Sequence, residues 1–230
     1  YPGATLLQAK GSRLRLVMET DGSLSLIASK KSNVRNPDGL KGKNISVSGN
    51  TFVEYATDEV MKRACFHPGE VNKPEINNIP LRLMMLEDGQ ISASFLPGPA
   101  TAIALNDGHT ALLNTRQMGL HCTGIVFSEK AITEKDEEIR RFITGYNLGV
   151  KYLQTHPQNE WTEILVKEFG LQEKAAMQID LPDYRPATRP SYHDIEKIIA
   201  WLKSKGAIPD YYPGENLVDT TFIPGTLKPQ

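Results

Sequence analysis

Residues 44–61, NISVSGNTFVEYATDEVM, pass from an alternating β-type run through Ser48-Gly49-Asn50-Thr51 into an amphipathic helical pattern. The joining turn is made of small polar residues and holds no Lys or Arg. A strand that hands over to a helix in this way is half of a βαβ unit, and the chain then repeats the pattern. Strand-like 70–77, helix 80–89, strand 91–96, helix 99–108 and strand 110–115 follow, each closed by Gly or a turn residue. The alternation predicts an α/β fold with a mostly parallel sheet.

Upstream, 2–10 reads as a short helix with Pro in its first turn and Gly11 as its stop. Residues 13–19 and 23–29 alternate like strands on either side of Asp21-Gly22, a strong turn signal. The polar stretch 33–43 reads as a connection. Downstream, 123–128 is one more buried strand, and the rest is mainly helical. In 134–155, Ile139, Phe142, Ile143, Tyr146, Val150 and Leu153 share one face. Helices over 159–169 and 191–205 follow, the second opened by Ser191 with Asp194 as a capping-box variant. The Pro- and Tyr-rich tail, 208–229, is expected to wrap irregularly. No internal repeat is present.

The chain of 230 residues, 40% hydrophobic and 23% charged, can bury a sizeable core. A net charge of -1 and a pI near 6.6 supply no basic field for a phosphate backbone, so no nucleic-acid partner is expected. Apolar runs such as 81–89 are far too short to span a bilayer. The chain begins at Tyr1 without Met or an apolar leader, which suits a removed signal peptide or a fragment. Cys65 and Cys122 fit neither a disulfide scaffold nor a metal spacing, and both are expected to be small buried hydrophobes.

Motifs for catalysis are missing. Gly39-Leu40-Lys41-Gly42-Lys43-Asn44 has the wrong spacing for a phosphate loop and leads into a strand. The histidines, His67, His109, His121, His156 and His193, are scattered, without HExxH or Cys-x-x-Cys, so neither a metal nor a cofactor is expected. His121 and Cys122, adjacent in an extended segment, point to opposite faces. No G-x-S-x-G elbow occurs. Glu134 and Asp136-Glu137-Glu138 stand where a helix starts, a placement that the helix dipole explains.

What remains are the turns at the C-terminal ends of strands, where an open α/β sheet presents helix N-termini and free backbone N–H groups. Ser48-Gly49-Asn50-Thr51 and Leu96-Pro97-Gly98-Pro99 are such turns. Backbone amides hold an anionic or polar ligand without a counter-charge, which suits a turn without Lys or Arg. Asn50 or Thr51 equally serves as an ordinary N-cap, and Phe52 either stacks on a ligand or joins the core. Arg82 and Arg116 are the cations that could set the charge of such a site; solvated surface positions are expected for both.

The stretches LKGKNISVSGNTFVEYATDEVM (40–61), IPLRLMMLEDGQISASFLPGP (79–99), GIVFSEKAI (124–132) and RRFITGYNLGVKYLQTHP (140–157) together resemble the solute-binding proteins of ABC importers. The resemblance is to the group of nitrate, sulfonate and taurine binders and thiamine-pyrimidine (NMT1/THI5-like) binders. It implies a two-lobed type II periplasmic-binding-protein fold. Lobe 1 would take 1–35 and 118–230, and lobe 2 would take 36–117. Solute would be held by lobe closure. The residues implied as ligand-binding are Ser48, Gly49, Asn50, Thr51, Phe52, Leu96, Pro97 and Gly98, with Thr123 and Tyr1 from lobe 1. The resemblance further implies a monomeric, non-catalytic lipoprotein, periplasmic or extracellular, that delivers a small solute to an ABC permease.

Two departures stand out. Gly98 occupies a position where relatives carry an acidic residue, which removes a partner for a cationic solute. Relatives also carry a further β-α-β-α-β stretch before the point matching Tyr1, so the N-terminal part of lobe 1 is expected to be missing. Two alternatives share the fold. A THI5-like pyrimidine-synthesising enzyme would need a cysteine-rich motif that two cysteines do not make, and a ligand-sensing regulatory domain would need a nearby helix-turn-helix.

Overall fold

The computed structural model describes residues 1–170, 172–177, 179 and 184–223. Its helices are α1 (Pro2–Ala9), α2 (Phe52–Arg63), α3 (Ile79–Asp88), α4 (Gly98–Asn106), α5 (Glu129–Glu134), α6 (Asp136–Thr155), α7 (Gln158–Phe169), α8 (Glu173–Met177) and α9 (Tyr192–Ser204). Its strands are β1 (Leu14–Thr20), β2 (Leu24–Ala28), β3 (Ile45–Ser46), β4 (Ala93–Pro97), β5 (Thr110–Asn114) and β6 (Thr123–Ser128). They form two compact units. Unit 1 takes its described residues from 1–22, 121–157 and 184–223; unit 2 takes its own from 23–120 and 158–179.

Unit 2 is built on a four-stranded sheet of order β3-β4-β2-β5. β3 and β4 are parallel, with Ile45 opposite Ala93 and Ser46 opposite Ser94, as a βαβ unit requires. β2 is antiparallel to both β4 and β5, so the sheet is mixed and not mostly parallel. The expected hairpin at Asp21-Gly22 does not form: β1 pairs with β6 and β2 enters the centre of the other sheet. The reason lies in β2 itself. Leu26 and Ile27 point to opposite faces and are 1% and 0% exposed, a burial that only a central strand covered on both sides provides.

On one face of this sheet, Ile27, Leu96, Ile76, Leu86, Ile91, Ala100 and Ala104 form a core. Residues 70–77, expected as a strand, make only isolated parallel bridges beside β3, Asn44 to Asn72 and Val47 to Glu75. Pro74 lacks an N–H and joins only as acceptor from Val47, at 3.0 Å, which keeps this edge irregular. α2 ends in a Schellman turn, Phe66 N–H to Met61 O at 2.9 Å and Cys65 N–H to Lys62 O at 3.1 Å. Cys65 takes the left-handed position of that turn, with φ 55°, and is exposed; of the two cysteines only Cys122 is buried. α8, which the sequence pattern misses, packs on α7 and α4.

In unit 1, β1 and β6 pair antiparallel with an irregularity between Leu16 and Met18, so that Val17 is an extra, bulged residue. The bulge lets Val17 and Met18 both enter a core with Ile139, Ile143, Ala187, Phe222 and Ile223. Phe127 of β6 meets Phe142 of α6 edge-on at 5.6 Å. The tail is ordered through 223: Leu16 donates to Leu217 O at 2.7 Å and accepts from Asp219 N–H at 3.0 Å. Residues 224–229 of the expected wrap lie outside the described residues. The expected helix 134–155 is α5 and α6 broken at Lys135, where φ is -132°. Asp136 and Glu137 open α6 and pair with Arg140 and Arg141 one turn on, at 2.7 and 2.5 Å. No helix among the described residues is long and apolar enough to cross a membrane.

His109 gives unit 2 a pH-dependent stability. Its Nδ1 accepts the Lys30 N–H at 3.1 Å and its Nε2 stands 3.2 Å from Glu87 Oε2, with the side chain 1% exposed. Burial holds its pKa below the usual histidine value; the Glu87 and Asp107 charges oppose this and Lys30 adds to it. A depressed folded pKa means that the unfolded chain takes up the proton first. Stability is therefore full above the unfolded value of about 6.5 and falls as pH drops from there through the folded value. Thermal melts between pH 7.5 and 5 should show this loss, and His109→Gln should flatten it. An unchanged pH profile in the variant would remove His109 as the cause.

Candidate functional site

The C-terminal end of β3 carries the turn singled out by the sequence, and each of its residues has a definite role. Thr51 is the N-cap of α2: its Oγ1 accepts the Val53 N–H at 3.2 Å and donates to Ser48 O at 2.7 Å. Asn50 adopts φ 56°, a left-handed conformation that Asn tolerates, and its N–H donates to Glu54 at 2.8 Å. Glu54, at N3, is 7% exposed and also takes Lys73 Nζ at 3.4 Å. The capping half of the sequence expectation therefore describes Asn50 and Thr51. The N–H groups of Ser48 and Gly49 have no hydrogen-bond partner among the described residues.

Segment 75–77 borders this turn, and the sequence reading missed it. Ser48 Oγ donates to Asn77 Oδ1 at 2.5 Å, and Asn77 Nδ2 donates to Glu75 Oε1 at 3.3 Å. The Glu75 carboxylate lies against Gly49: a Cβ there would meet Oε1 at 2.9 Å and Oε2 at 3.0 Å. The only hint in the sequence was that Glu75 and Asn77 flank an apolar Ile76, which puts both on the face opposite to it.

Arg82 is not on the surface. It is 2% exposed, donates from Nε to Ile76 O at 2.6 Å and from Nη1 to Phe95 O at 3.4 Å, and has no ion pair among the described residues. Burial lowers its pKa from the usual arginine value. Ser94 Oγ donates to the same Phe95 carbonyl at 3.4 Å, while Ser46 Oγ, fully buried, has no partner among the described residues. Arg116 is half-buried in the turn after β5.

The second predicted turn is less open. Leu96 is 0% exposed and belongs to the core, and Phe52 is 9% exposed, closer to core than to a stacking platform. Pro97 caps α4 without a side-chain bond, and Gly98 faces open space.

In unit 1, Thr123 and Tyr1 are committed to the framework. Thr123 Oγ1 donates to Thr20 O at 2.7 Å. Tyr1 is 6% exposed, donates from its hydroxyl to Glu19 at 2.7 Å and accepts the Ser191 N–H at 3.3 Å. Beside them, donor atoms of Glu19, Asp21 and His121 lie within 4.8 Å of one another, a grouping no sequence spacing revealed. Arg185 already stands in it, 2.7 Å from Asp21 and 3.2 Å from Glu19, so a guanidinium supplies the positive charge there. Cys122, next to His121 and just before β6, is 2% exposed, and burial pushes its thiol up to about 12. A cavity of about 860 Å³ among Arg13, Arg15, Glu129, Tyr192 and Asp219 of unit 1 contains none of the predicted residues.

A mixed α/β chain with this order of elements has the fold of the type II periplasmic binding proteins. The sequence profile of the family described as NMT1/THI5 like matches residues 5–160, and the chain belongs to that family. No curated protein matches it in sequence. Among solved structures it is similar to the alkanesulfonate-binding protein SsuA of Xanthomonas axonopodis pv. citri bound to MOPS, at 18% identity and TM-score 0.74, over 90% of this chain and 74% of that one. It is also similar to a ligand-binding component of an ABC-type import system of Staphylococcus aureus with zinc bound, at 13% identity and TM-score 0.75, over 96% and 77%. The desulfurization enzyme DSZB shares the fold as well, at 11% identity and TM-score 0.63, over 96% and 82%.

Proposed function

We propose that this chain is the solute-binding component of an ABC importer, working outside the cytoplasm as a non-catalytic monomer that hands a small organic solute to a membrane permease. The observation that carries this reading is the strand-end turn of unit 2. Adjacent N–H groups of Ser48 and Gly49 are open beside the fixed polar groups of Asn77 and Glu75, an arrangement that binds anionic or polar solute atoms without any reacting group. Family membership and the likeness to SsuA support a solute of the sulfonate, taurine or thiamine-pyrimidine kind.

A catalytic reading has less to work with, although one similar structure is an enzyme. A cysteine nucleophile acts as thiolate. Cys122 is sealed, with its thiol raised to about 12, and Cys65 stands at the opposite end of α2 from Ser48. Native mass spectrometry of the full chain, purified without denaturation, should find a co-purified small molecule. Thermal melts against sulfonates, nitrate, carboxylates and pyrimidines should then show a shift with one class. An empty spectrum together with a flat panel would overturn the reading.

A further inference from the structure

We infer that the interior of unit 2 holds a small inorganic anion of chloride size, bound by the guanidinium of Arg82 and the hydroxyls of Ser46 and Ser94. The site is separate from the strand-end turn, and the inference does not depend on which solute that turn takes.

Two buried groups call for such an occupant. Arg82 is 2% exposed and always charged, yet no carboxylate among the described residues pairs with it. Its Nε and Nη1 donate to the Ile76 and Phe95 carbonyls at 2.6 and 3.4 Å, and the other N–H groups of the guanidinium have no acceptor among the described residues. Ser46 Oγ is the second group, 0% exposed and without a partner among the described residues. Ser94, equally buried, is only loosely held. Its hydroxyl reaches the Ser46 and Phe95 carbonyls at 3.5 and 3.4 Å, longer than an ordinary O–H···O bond, so it is free to turn to a better acceptor.

These groups share one place. Ser46 and Ser94 lie opposite each other in the register of β3 and β4, and Ser94 lies opposite Ile27 of β2. All three therefore point to the sheet face that carries Leu96, and α3 covers that face through Leu86, one turn on from Arg82. Arg82 and Ser94 also meet at a single acceptor, the Phe95 carbonyl. The outcome is a set of hydrogen-bond donors around a positive charge that nothing in the protein balances. A buried charge without a partner is strongly destabilising, and buried polar groups that no protein atom satisfies are met by water or an ion. Water would satisfy the hydrogen bonds and leave the charge, whereas a halide answers both. Burial of all three side chains closes the place to an organic anion.

Thermal melts of the full chain at constant ionic strength test this, with chloride exchanged stepwise for gluconate down to trace levels. Tm of the wild-type chain should rise by about 3 °C or more toward full chloride. Arg82→Met and Ser46→Ala should each lose most of that rise. Neither variant alters the surface, so a general salt effect would persist in both. Ser46→Ala removes one oxygen and adds no bulk, which keeps the comparison available if Arg82→Met does not fold. Crystals grown in bromide should show an anomalous peak between Arg82 and Ser46. A chloride response that is absent from the wild-type chain or survives in Ser46→Ala, or an ordered water in place of bromide, would overturn the inference.

Discussion

Gly124→Ala should be the most damaging single-methyl change in unit 1, lowering stability by about 3 kcal/mol. A Cβ at this position would stand 2.6 Å from Met18 O, 2.7 Å from Leu16 Cδ1 and 3.2 Å from Tyr1 Cε1. The first of these is backbone and cannot step aside, because Met18 sits just past the bulge that packs Val17 and Met18 into one core. Relief requires β6 to move away from β1, and with it Phe127, which holds α6 through Phe142. For a chain of this size the loss corresponds to a fall of roughly 6–12 °C in Tm. Gly3→Ala is the control: it lies in α1 with open space around it, so it should be neutral or slightly stabilising. A Gly124→Ala variant that melts with wild type would show that the two strands are not as closely packed as described.

Arg82→Met should cost unit 2 about 1–3 kcal/mol, although it removes a buried charge of the kind that is expensive to keep. Two opposing effects have to be weighed. Methionine fills much of the same volume and needs no hydration, which favours the variant. Against it, the Ile76 carbonyl loses its guanidinium donor in the interior, at about 1–3 kcal/mol for a group left unpaired, while the Phe95 carbonyl keeps Ser94 Oγ as a donor. The second effect should win, because the bond to Ile76 is short, at 2.6 Å, and anchors a segment with no strand of its own. Arg82→Lys should also lose stability, since an ammonium cannot fork to two carbonyls. Hydrogen exchange is the sharper readout: the amides of Asn72 and Ile76, bonded to Lys43 O and Val47 O at 2.9 and 2.8 Å, should exchange faster in the variant. Unchanged exchange at these amides would mean that Arg82 does not tie the segment down.

The helices were legible where capping and periodicity agree. Thr51 and Ser191 each cap the helix that their sequence position announces, and Ile139, Ile143 and Val150 bury the face that the spacing marks. Strand partners were not legible, because alternation gives a strand two faces but not its neighbours. Asp21-Gly22 carried a hairpin signal, yet the burial of Leu26 and Ile27 on both faces drew β2 into another sheet. The site was half legible. Small polar residues at 48–51 mark a strand-end turn, while Glu75 and Arg82 reach it only through the path of residues 72–82, where one reads as an ordinary surface carboxylate and the other as an ordinary surface cation. Leu96 and Phe52 were read from the strand-end turns and Thr123 and Tyr1 from the resemblance, and the burial and bonding of all four tie them to the framework.

The interleaving of the two units has a consequence for synthesis. As the chain emerges from a ribosome, β1 is made early but its partner is not, and Thr20 waits for Thr123 across 103 residues before their hydrogen bond can form. β2 likewise appears before β4 and β5, the strands that flank it. Long sequence separations of this kind slow folding and leave apolar edges uncovered meanwhile. Nor can either unit be cut out as one continuous piece, since unit 2 is finished only by 158–179 and unit 1 only by the tail that lies beside Leu16. A nascent chain halted after residue 114 would hold every strand of the unit 2 sheet but not the helices that complete the unit, and would be the natural client of a holdase chaperone.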